Sequence, residues 1–364
     1  MANYSNGDYD WATEVKKLQE AKTGVKGLVD AGVTELPRLF VHTPEDLHAH
    51  PIHGGQLELP TIDLSGAERG GARRREVVEE IGKAAAEWGF FRLVNHGIPV
   101  ETMDAMLEAV KRFHELPAEE KTPFYSSDIR KAVKLNSSLP VKENDPACWR
   151  DILTCNCRDD RIDPLDLPKA CREEVQEYAM KHMVGVKEMM SDLLSEALGL
   201  PSDYLSNLEC MKSQLLACLY YPPCPDPHKT LGTQKHSDST FLTILMQDNI
   251  GGLQILHDDQ WVDVPPVHGG LVANIGDQMQ IISNGKFMSA QHRVWVQESV
   301  PRVSVASFFS PSARAATTKA FGPIKELLSD DNKAAYKDYY FLDFMNHYKA
   351  KGERVASPLH YYKI

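Results

Sequence analysis

No stretch of this 364-residue chain stays apolar over the roughly 18 residues that a membrane-spanning helix needs. The first residues, Met1 to Trp11, show no basic region running into an apolar one. Neither a membrane span nor a secretory signal is expected. Positive charge is short: 40 Lys and Arg stand against 51 Asp and Glu, a formal net charge of −11. Such a surface repels phosphate backbones and speaks against a nucleic-acid partner. The one basic cluster, Arg69 to Arg75, lies in a Gly-rich stretch and reads as a surface loop. Internal repeats and low-complexity tracts are absent. Cysteines number only seven, and their irregular spacing suits free thiols in a reducing compartment, so a cytoplasmic protein is expected. Cys155-Asn156-Cys157 lacks the second pair that a thiolate zinc site would need. With no exposed apolar stripe, the default is a monomer.

What is present divides into a helical half and a strand-rich half. Residues 1–20 are polar and start a helix. Leu59 to Leu64 alternates as a first strand. Val77, Val78, Ile81, Ala84, Ala85 and Trp88 make one apolar helical face. Phe90 to Val94 reads as a second strand, and Met103 to Phe113 as another helix. Residues 124–170, rich in Ser, Asp, Pro and Lys, read as irregular structure with short elements. A long helix is expected from about Cys171 to Leu198, stopped by Gly199 and Pro201. From Met211 on come short strands at 213–220, 240–247, 252–257, 261–264, 270–275, 279–283, 286–297 and 301–309. Asn284-Gly285 is a hairpin signal, and His257 to Gln260 looks like another. A helix at about 331–349 and a polar, aromatic tail follow. The fold class is α+β, mainly β: a β-sandwich or jelly roll after a helical α/β region, closed by a C-terminal helix. The expected divisions are an N-terminal extension (1–58), a region of helices and a few strands (59–200), the β core (201–312), and the final helix and tail (313–364).

The chemistry is concentrated in three short motifs. Residues two apart in a strand point to the same side, so His236 and Asp238 can aim at one point. His292, in a later strand-like run, supplies a third ligand. Two neutral imidazoles and one carboxylate on one face form the facial triad of non-haem Fe(II) oxygenases. In the next strand Arg302, Ser304, Ala306 and Phe308 share a face, while Val303 and Val305 face the other way. A buried arginine calls for an anion, and its fork suits a carboxylate, here one end of a dicarboxylate. Taken singly, an H-x-D or a strand histidine is more often structural than ligating, and Arg-x-Ser says almost nothing; the weight lies in the combination. His96, in the turn Asn95-His96-Gly97, reads as a backbone-bonded histidine.

These motifs resemble the plant 2-oxoglutarate- and Fe(II)-dependent dioxygenase family. The likeness runs from about residue 24 to 312. It includes Trp88-Gly-Phe-Phe91, Val94-Asn-His-Gly-Ile-Pro99, Tyr220-Tyr-Pro-Pro-Cys-Pro225, Gly251-Gly-Leu-Gln254, Val272 to Asp277 and Arg302 to Phe309. Gly24 to Gly32 and Trp149-Arg-Asp151 are similar to a subgroup known as 1-aminocyclopropane-1-carboxylate oxidase homologues, which includes hydroxylases of benzoxazinoids and alkaloids. The resemblance implies a double-stranded β-helix (jelly roll), Fe(II) on His236, Asp238 and His292, and 2-oxoglutarate on Arg302, Ser304 and Tyr221. It implies an oxidoreductase that consumes dioxygen, hydroxylates a small-molecule secondary metabolite, releases succinate and CO2, and uses ascorbate as reductant. Phe308 resembles a position that stacks on aromatic substrates. Residues 132–139, the surroundings of Trp149, and Phe341 to Tyr348 are expected to close the pocket. Leu219 departs from the family, which often carries asparagine there, near the co-substrate. An ascorbate-dependent oxidase without 2-oxoglutarate, a non-catalytic jelly-roll binding protein and a zinc hydrolase are the rival expectations.

Overall fold

The computed structural model describes residues 9–47, 58–126, 128, 130–137, 139, 142–351 and 359–364. The first helix covers Trp11–Ala21, and the earliest residues expected to belong to it lie outside the described ones. Its N-terminus is capped by Asp10, whose carboxylate accepts the Thr13 N–H.

Twelve strands build the core: β1 (Thr61–Asp63), β2 (Phe90–Val94), β3 (Val133–Ser137), β4 (Asp151–Cys157), β5 (Ser213–Tyr221), β6 (Thr233–His236), β7 (Leu242–Gln247), β8 (Leu253–His257), β9 (Gln260–Asp263), β10 (Leu271–Ile275), β11 (His292–Val294) and β12 (Arg302–Ser310). They form a large sheet in the order β1-β2-β10-β7-β12-β5-β4-β3 and a smaller one, β6-β11-β8-β9. Pairing is antiparallel except between β1 and β2. The two sheets face each other as a jelly roll.

Side-chain alternation on the large sheet sorts the core into two parts. Val303, Val305 and Phe309 of β12 join Ile244, Met246 and the helices Arg74–Glu87, Val100–His114 and Met183–Ala197 on the outer face. Ala306, Ala217, Leu219 and Tyr221 pack inward against Leu253, Ile255 and Val294 of the small sheet. The period-two reading of β12 holds residue by residue. So does the β8–β9 hairpin, where Asp258 and Asp259 both take positive φ. No helix among the described residues is long and apolar enough to cross a membrane.

Several expectations fail. The short elements expected within residues 124–170 are β3 and β4, more regular than the composition suggests, a pair in full register from Val133↔Cys155 to Ser137↔Asp151. Residues 279–283 are not a strand but part of a helix, Asp277–Ile282, in which Met279 and Ile282 lie a helical turn apart, both buried. Asn284-Gly285 does need positive φ at both positions, 54° and 82°, but it ends that helix rather than joining two strands. The Gly285 N–H reaches back to the Gln280 carbonyl. The expected strand 286–297 shrinks to β11. The helix from Cys171 contains a wider turn, Gln176–His182, within its length. The last long helix runs Phe341–Lys351, and residues 331–340, expected to start it, instead include a two-residue strand, Tyr339–Tyr340, paired with Ala320–Phe321. The basic cluster is not all loop: Arg74 opens a helix and pairs with Glu196 at 2.7 Å, while Arg69 pairs with Asp192.

Candidate metal centre

His236 and His292 are directly opposed across the β6–β11 ladder. Asp238 lies just past the end of β6, with its carboxylate close to the Nε2 atoms of both rings. His236 Nε2 and His292 Nε2 stand 3.5 and 3.7 Å from Asp238 Oδ1. The imidazole centroids are 4.1 Å apart. Among the described residues this is the cluster whose ligand atoms all fall within 4.8 Å of one another.

The outer atoms of these side chains explain why the inner ones converge. His236 Nδ1 lies 2.9 Å from the Gln234 carbonyl and His292 Nδ1 3.4 Å from that of Ala290. A carbonyl only accepts, so each Nδ1 carries the proton and each Nε2 turns a lone pair inward. Asp238 Oδ2 accepts from Thr243 Oγ1 at 2.6 Å and Asn274 Nδ2 at 2.7 Å. Thr243 and Asn274 are themselves cross-strand partners on β7 and β10, so one rung of the large sheet fixes the carboxylate. Burial raises the Asp238 pKa, but His292, His236 and Asn274 outweigh it and hold the carboxyl well below its ordinary range. Burial, helped by His236 and opposed by Asp238, lowers His292 to about 4. Two neutral nitrogens and one anionic oxygen thus turn their lone pairs on one another, an arrangement that a divalent cation relieves. The donor set fits iron.

Arg302 is 1 % exposed. It donates from Nε to the Gly251 carbonyl at 2.7 Å, from Nη1 to Ser304 Oγ at 2.9 Å and from Nη2 to Gln247 Oε1 at 2.9 Å. Its guanidinium also lies 4.9 Å from the Tyr221 ring centroid, on the cross-strand neighbour in β5. These hydrogen-bond partners are neutral, and Asp248 meets the charge only through space, so the fork makes no ion-paired hydrogen bond with the protein. Because Ser304 Oγ accepts from Arg302, its own hydroxyl hydrogen is left to donate elsewhere. Tyr221 reaches Thr233 Oγ1 at 3.2 Å.

A cavity of about 630 Å³ opens above the centre, within the range for small-molecule sites. Its lining includes His236 and Asp238, Phe308, and Phe341, Met345 and Tyr348 of the C-terminal helix. The expected Phe308 and C-terminal contributions are present. Trp149 does not line it: its ring is buried and its Nε1–H donates to the Pro222 carbonyl, while the adjacent Arg150 faces the cavity. Residues 132–137 and 139 do not reach the lining either. His96 is bonded to backbone as expected, with Nε2 on the Gly269 carbonyl and Nδ1 accepting from Ile98. Arg293, beside His292, is clamped between Trp261 and Trp295 and donates to Gln254, so it braces β11 and stays out of the site. The sequence reading missed Thr243, Asn274, Gln247 and the whole cavity face of β4. The alternation of Leu153, Cys155 and Cys157 against Ile152, Thr154 and Asn156 was the available signal.

The comparisons with known proteins agree with this geometry. The family profile described as 2OG-Fe(II) oxygenase superfamily matches residues 212–311, and that described as non-haem dioxygenase in morphine synthesis N-terminal matches 59–177. The 1-aminocyclopropane-1-carboxylate oxidase homolog 1 of Arabidopsis thaliana is 46% identical over 356 residues, covering 98% of this chain and 97% of the relative. Homolog 11 of the same plant is 44% identical over 361 residues, covering 98% of each. Among solved structures, JOX2 in complex with 2OG, Fe and JA superposes with a TM-score of 0.81 at 30% identity, over 94% of this chain and 97% of that one. The rice dioxygenase for auxin oxidation gives 0.68 at 27% identity, over 84% and 100%. The chain belongs to the 2OG-Fe(II) oxygenase superfamily, as an Fe(II)- and 2-oxoglutarate-dependent dioxygenase acting on small molecules.

Proposed function

We propose that His236, Asp238 and His292 hold the ferrous ion, that Arg302, Ser304 and Tyr221 hold the distal carboxylate of 2-oxoglutarate, and that the cavity beside Phe308 receives a specialised plant metabolite for hydroxylation. The convergence of the His236 and His292 Nε2 atoms on Asp238 Oδ1, with every outer atom tied back to the protein, carries this reading. When bound, iron and 2-oxoglutarate together activate dioxygen, with release of succinate and CO2, to a species that can oxidise a C–H bond.

The protein's own part is positional. Thr243 and Asn274 keep Asp238 ionised and pointed. The two backbone carbonyls fix the histidine tautomers. Arg302, held by three neutral acceptors, keeps a fixed fork ready for a carboxylate, and Ser304 adds a hydroxyl donor beside it. Phe308, Leu219 and Ile152 give the cavity an apolar side that keeps water from the reacting carbon. We further propose a cytoplasmic monomer without nucleic-acid or membrane partners, on the acidic net charge and the set of buried free thiols.

The test is a metabolite screen with Fe(II), ascorbate and dioxygen, run with and without 2-oxoglutarate and read by mass spectrometry for succinate and for a gain of one oxygen. His236→Ala and Asp238→Ala should lose both iron and turnover. Product formation that ignores 2-oxoglutarate, or turnover that survives either substitution, would contradict the assignment.

A further inference from the structure

The large sheet carries a row of side chains away from the metal centre. Thr243, which donates to Asp238, has Phe308 as its partner on β12; Phe308 has Leu215 on β5, and Leu215 has Asn156 on β4. Neighbouring strands lie roughly 4.8 Å apart, so three steps put Asn156 about 14 Å from Thr243. Phe308, Leu215 and Asn156 all line the cavity. Leu215 is 38 % exposed, although β5 is an inner strand of the eight-stranded sheet and its other residues are buried. Bare apolar surface inside a concave site favours an apolar ligand. Beyond Leu215 the row turns polar. The backbone N–H of Asn156 is taken up by the Ala132 carbonyl, but its half-buried carboxamide makes no hydrogen bond among the described residues. Two residues on, Arg158 lines the cavity as well, exposed, its guanidinium without a partner among the described residues. The carboxylates that follow it in the chain are engaged elsewhere: Asp159 Oδ1 accepts from the Ala313 N–H, and Asp160 pairs with Lys187 and Lys212. In the described lining the one carboxylate is Asp238, at the opposite end of the row.

We propose that Asn156 and Arg158 form a subsite for an anionic oxygen group, carboxylate or sulfate, at the end of the substrate remote from the carbon that is oxidised, with an apolar body lying over Leu215 and Phe308. This rests on the oxygenase reading above and names the class of molecule that site takes: an amphipathic acid two to three strand spacings long, about 10–14 Å. The guanidinium and the carboxamide NH2 both offer donors to a group that only accepts, and neither gives up a protein partner to bind it. The row then sets the distance between the anionic group and the reacting end. An anion drawn to Arg302 instead would lie the other way round, with its apolar end away from the metal, so the direction of the bound molecule separates the two.

For the test the protein is loaded with Mn(II) and saturating 2-oxoglutarate, so that Arg302 is taken. Calorimetry compares 6-phenylhexanoic acid with its primary amide, and 6-phenylhexyl sulfate with 6-phenylhexanol. At low ionic strength the wild type should favour at least one anion over its neutral counterpart by about three- to fivefold, the scale of an exposed ion pair, and added NaCl should shrink the preference. The larger of the two preferences names the group. Arg158→Gln should bring that preference within about twofold, and Arg158→Lys, which keeps the charge, should retain part of it. Asn156→Ala should weaken the preferred anion by about twofold or more. Circular dichroism of the variants checks that they fold. Line broadening by Mn(II) in the NMR spectrum of the bound anion gives its direction: the phenyl protons should broaden more than the methylene beside the anionic group. The proposal is overturned if the wild type prefers neither anion or binds neither member of both pairs. It is equally overturned if Arg158→Gln keeps the preference, if Asn156→Ala binds the anion as before, or if the methylene broadens as much as the ring. Failure of the wild type to take up Mn(II) or 2-oxoglutarate strikes the oxygenase reading, and appears before any acid is added. The calorimetric pairs, run on the metal-free protein, then still read Arg158.

Discussion

Replacing Arg302 by methionine keeps an unbranched apolar side chain of similar reach and removes the charge. The native guanidinium spends its hydrogen bonds on Gly251, Ser304 and Gln247, all neutral, and Asp248, which feels its charge, keeps the backbone N–H groups of Val303 and Ile250. The loss falls on the ligand. Removing one partner of a buried ion pair costs about 3–5 kcal/mol. Ser304 and Tyr221 remain to donate to the same carboxylate, so the lower end applies, about 3 kcal/mol or two orders of magnitude in Kd. The His236, Asp238 and His292 contacts do not involve Arg302, so iron affinity should stay unchanged. Anaerobic titration calorimetry reads the two separately: Fe(II) into the apoprotein, then 2-oxoglutarate into the Fe(II) form. Arg302→Lys should recover part of the affinity, because a point charge replaces a bidentate fork. A Kd for 2-oxoglutarate that rises less than about threefold in the methionine variant, with iron retained, would refute the role given to this residue.

Three further outcomes are expected. His114 is fully buried beside Tyr220, and burial, with Lys121 adding and the Cys218 carbonyl opposing, lowers its pKa to about 3. The unfolded chain gains a proton near pH 6.5 that the folded one refuses, so this group's contribution is complete above about 6.5 and falls by up to about 1.4 kcal/mol per pH unit down to about 3. Urea unfolding at stepped pH should show that slope, and His114→Gln should flatten it; equal slopes would show that another group titrates. Gly24→Ala should lower the midpoint of thermal unfolding, since φ is +71° and the added methyl would meet the Asp151 carboxylate and the Tyr125 hydroxyl. An unchanged midpoint would mean that the segment carrying Gly24 moves away at no cost. Thr243→Val should weaken iron binding by about tenfold or more, because Asp238 Oδ2 loses a donor and the carboxylate its aim; equal iron affinity would remove that residue from the site's support.

The site was more legible than the wall around it. His236, Asp238, His292, Arg302 and Ser304 stand out because ligand chemistry restricts their type and strand geometry restricts their spacing. β12 was readable because Val303, Val305 and Phe309 make its outward face apolar but for Ser307. β4 was not: Thr154, Asn156 and Arg150 look like loop composition, and their polarity comes from the cavity they line. The Asp277–Ile282 helix was mistaken for a strand because six residues with three apolar side chains fit either period, and tertiary contacts decided. Asn274 and Thr243 could not have been found from one chain alone. Their role depends on a register between β7 and β10 that no local pattern specifies.

Asp151 gives the amino-terminal residues a purpose. Its buried carboxylate accepts the backbone N–H groups of Val25 and Lys26 at 2.9 and 2.8 Å, and the hydroxyl of Ser137 at 2.6 Å. Arg150 is its immediate chain neighbour. A truncated version starting at residue 59, where the recognised family region begins, would strip two of those donors from a sequestered anion. The damage would surface in the reaction chamber, far along the chain from the cut.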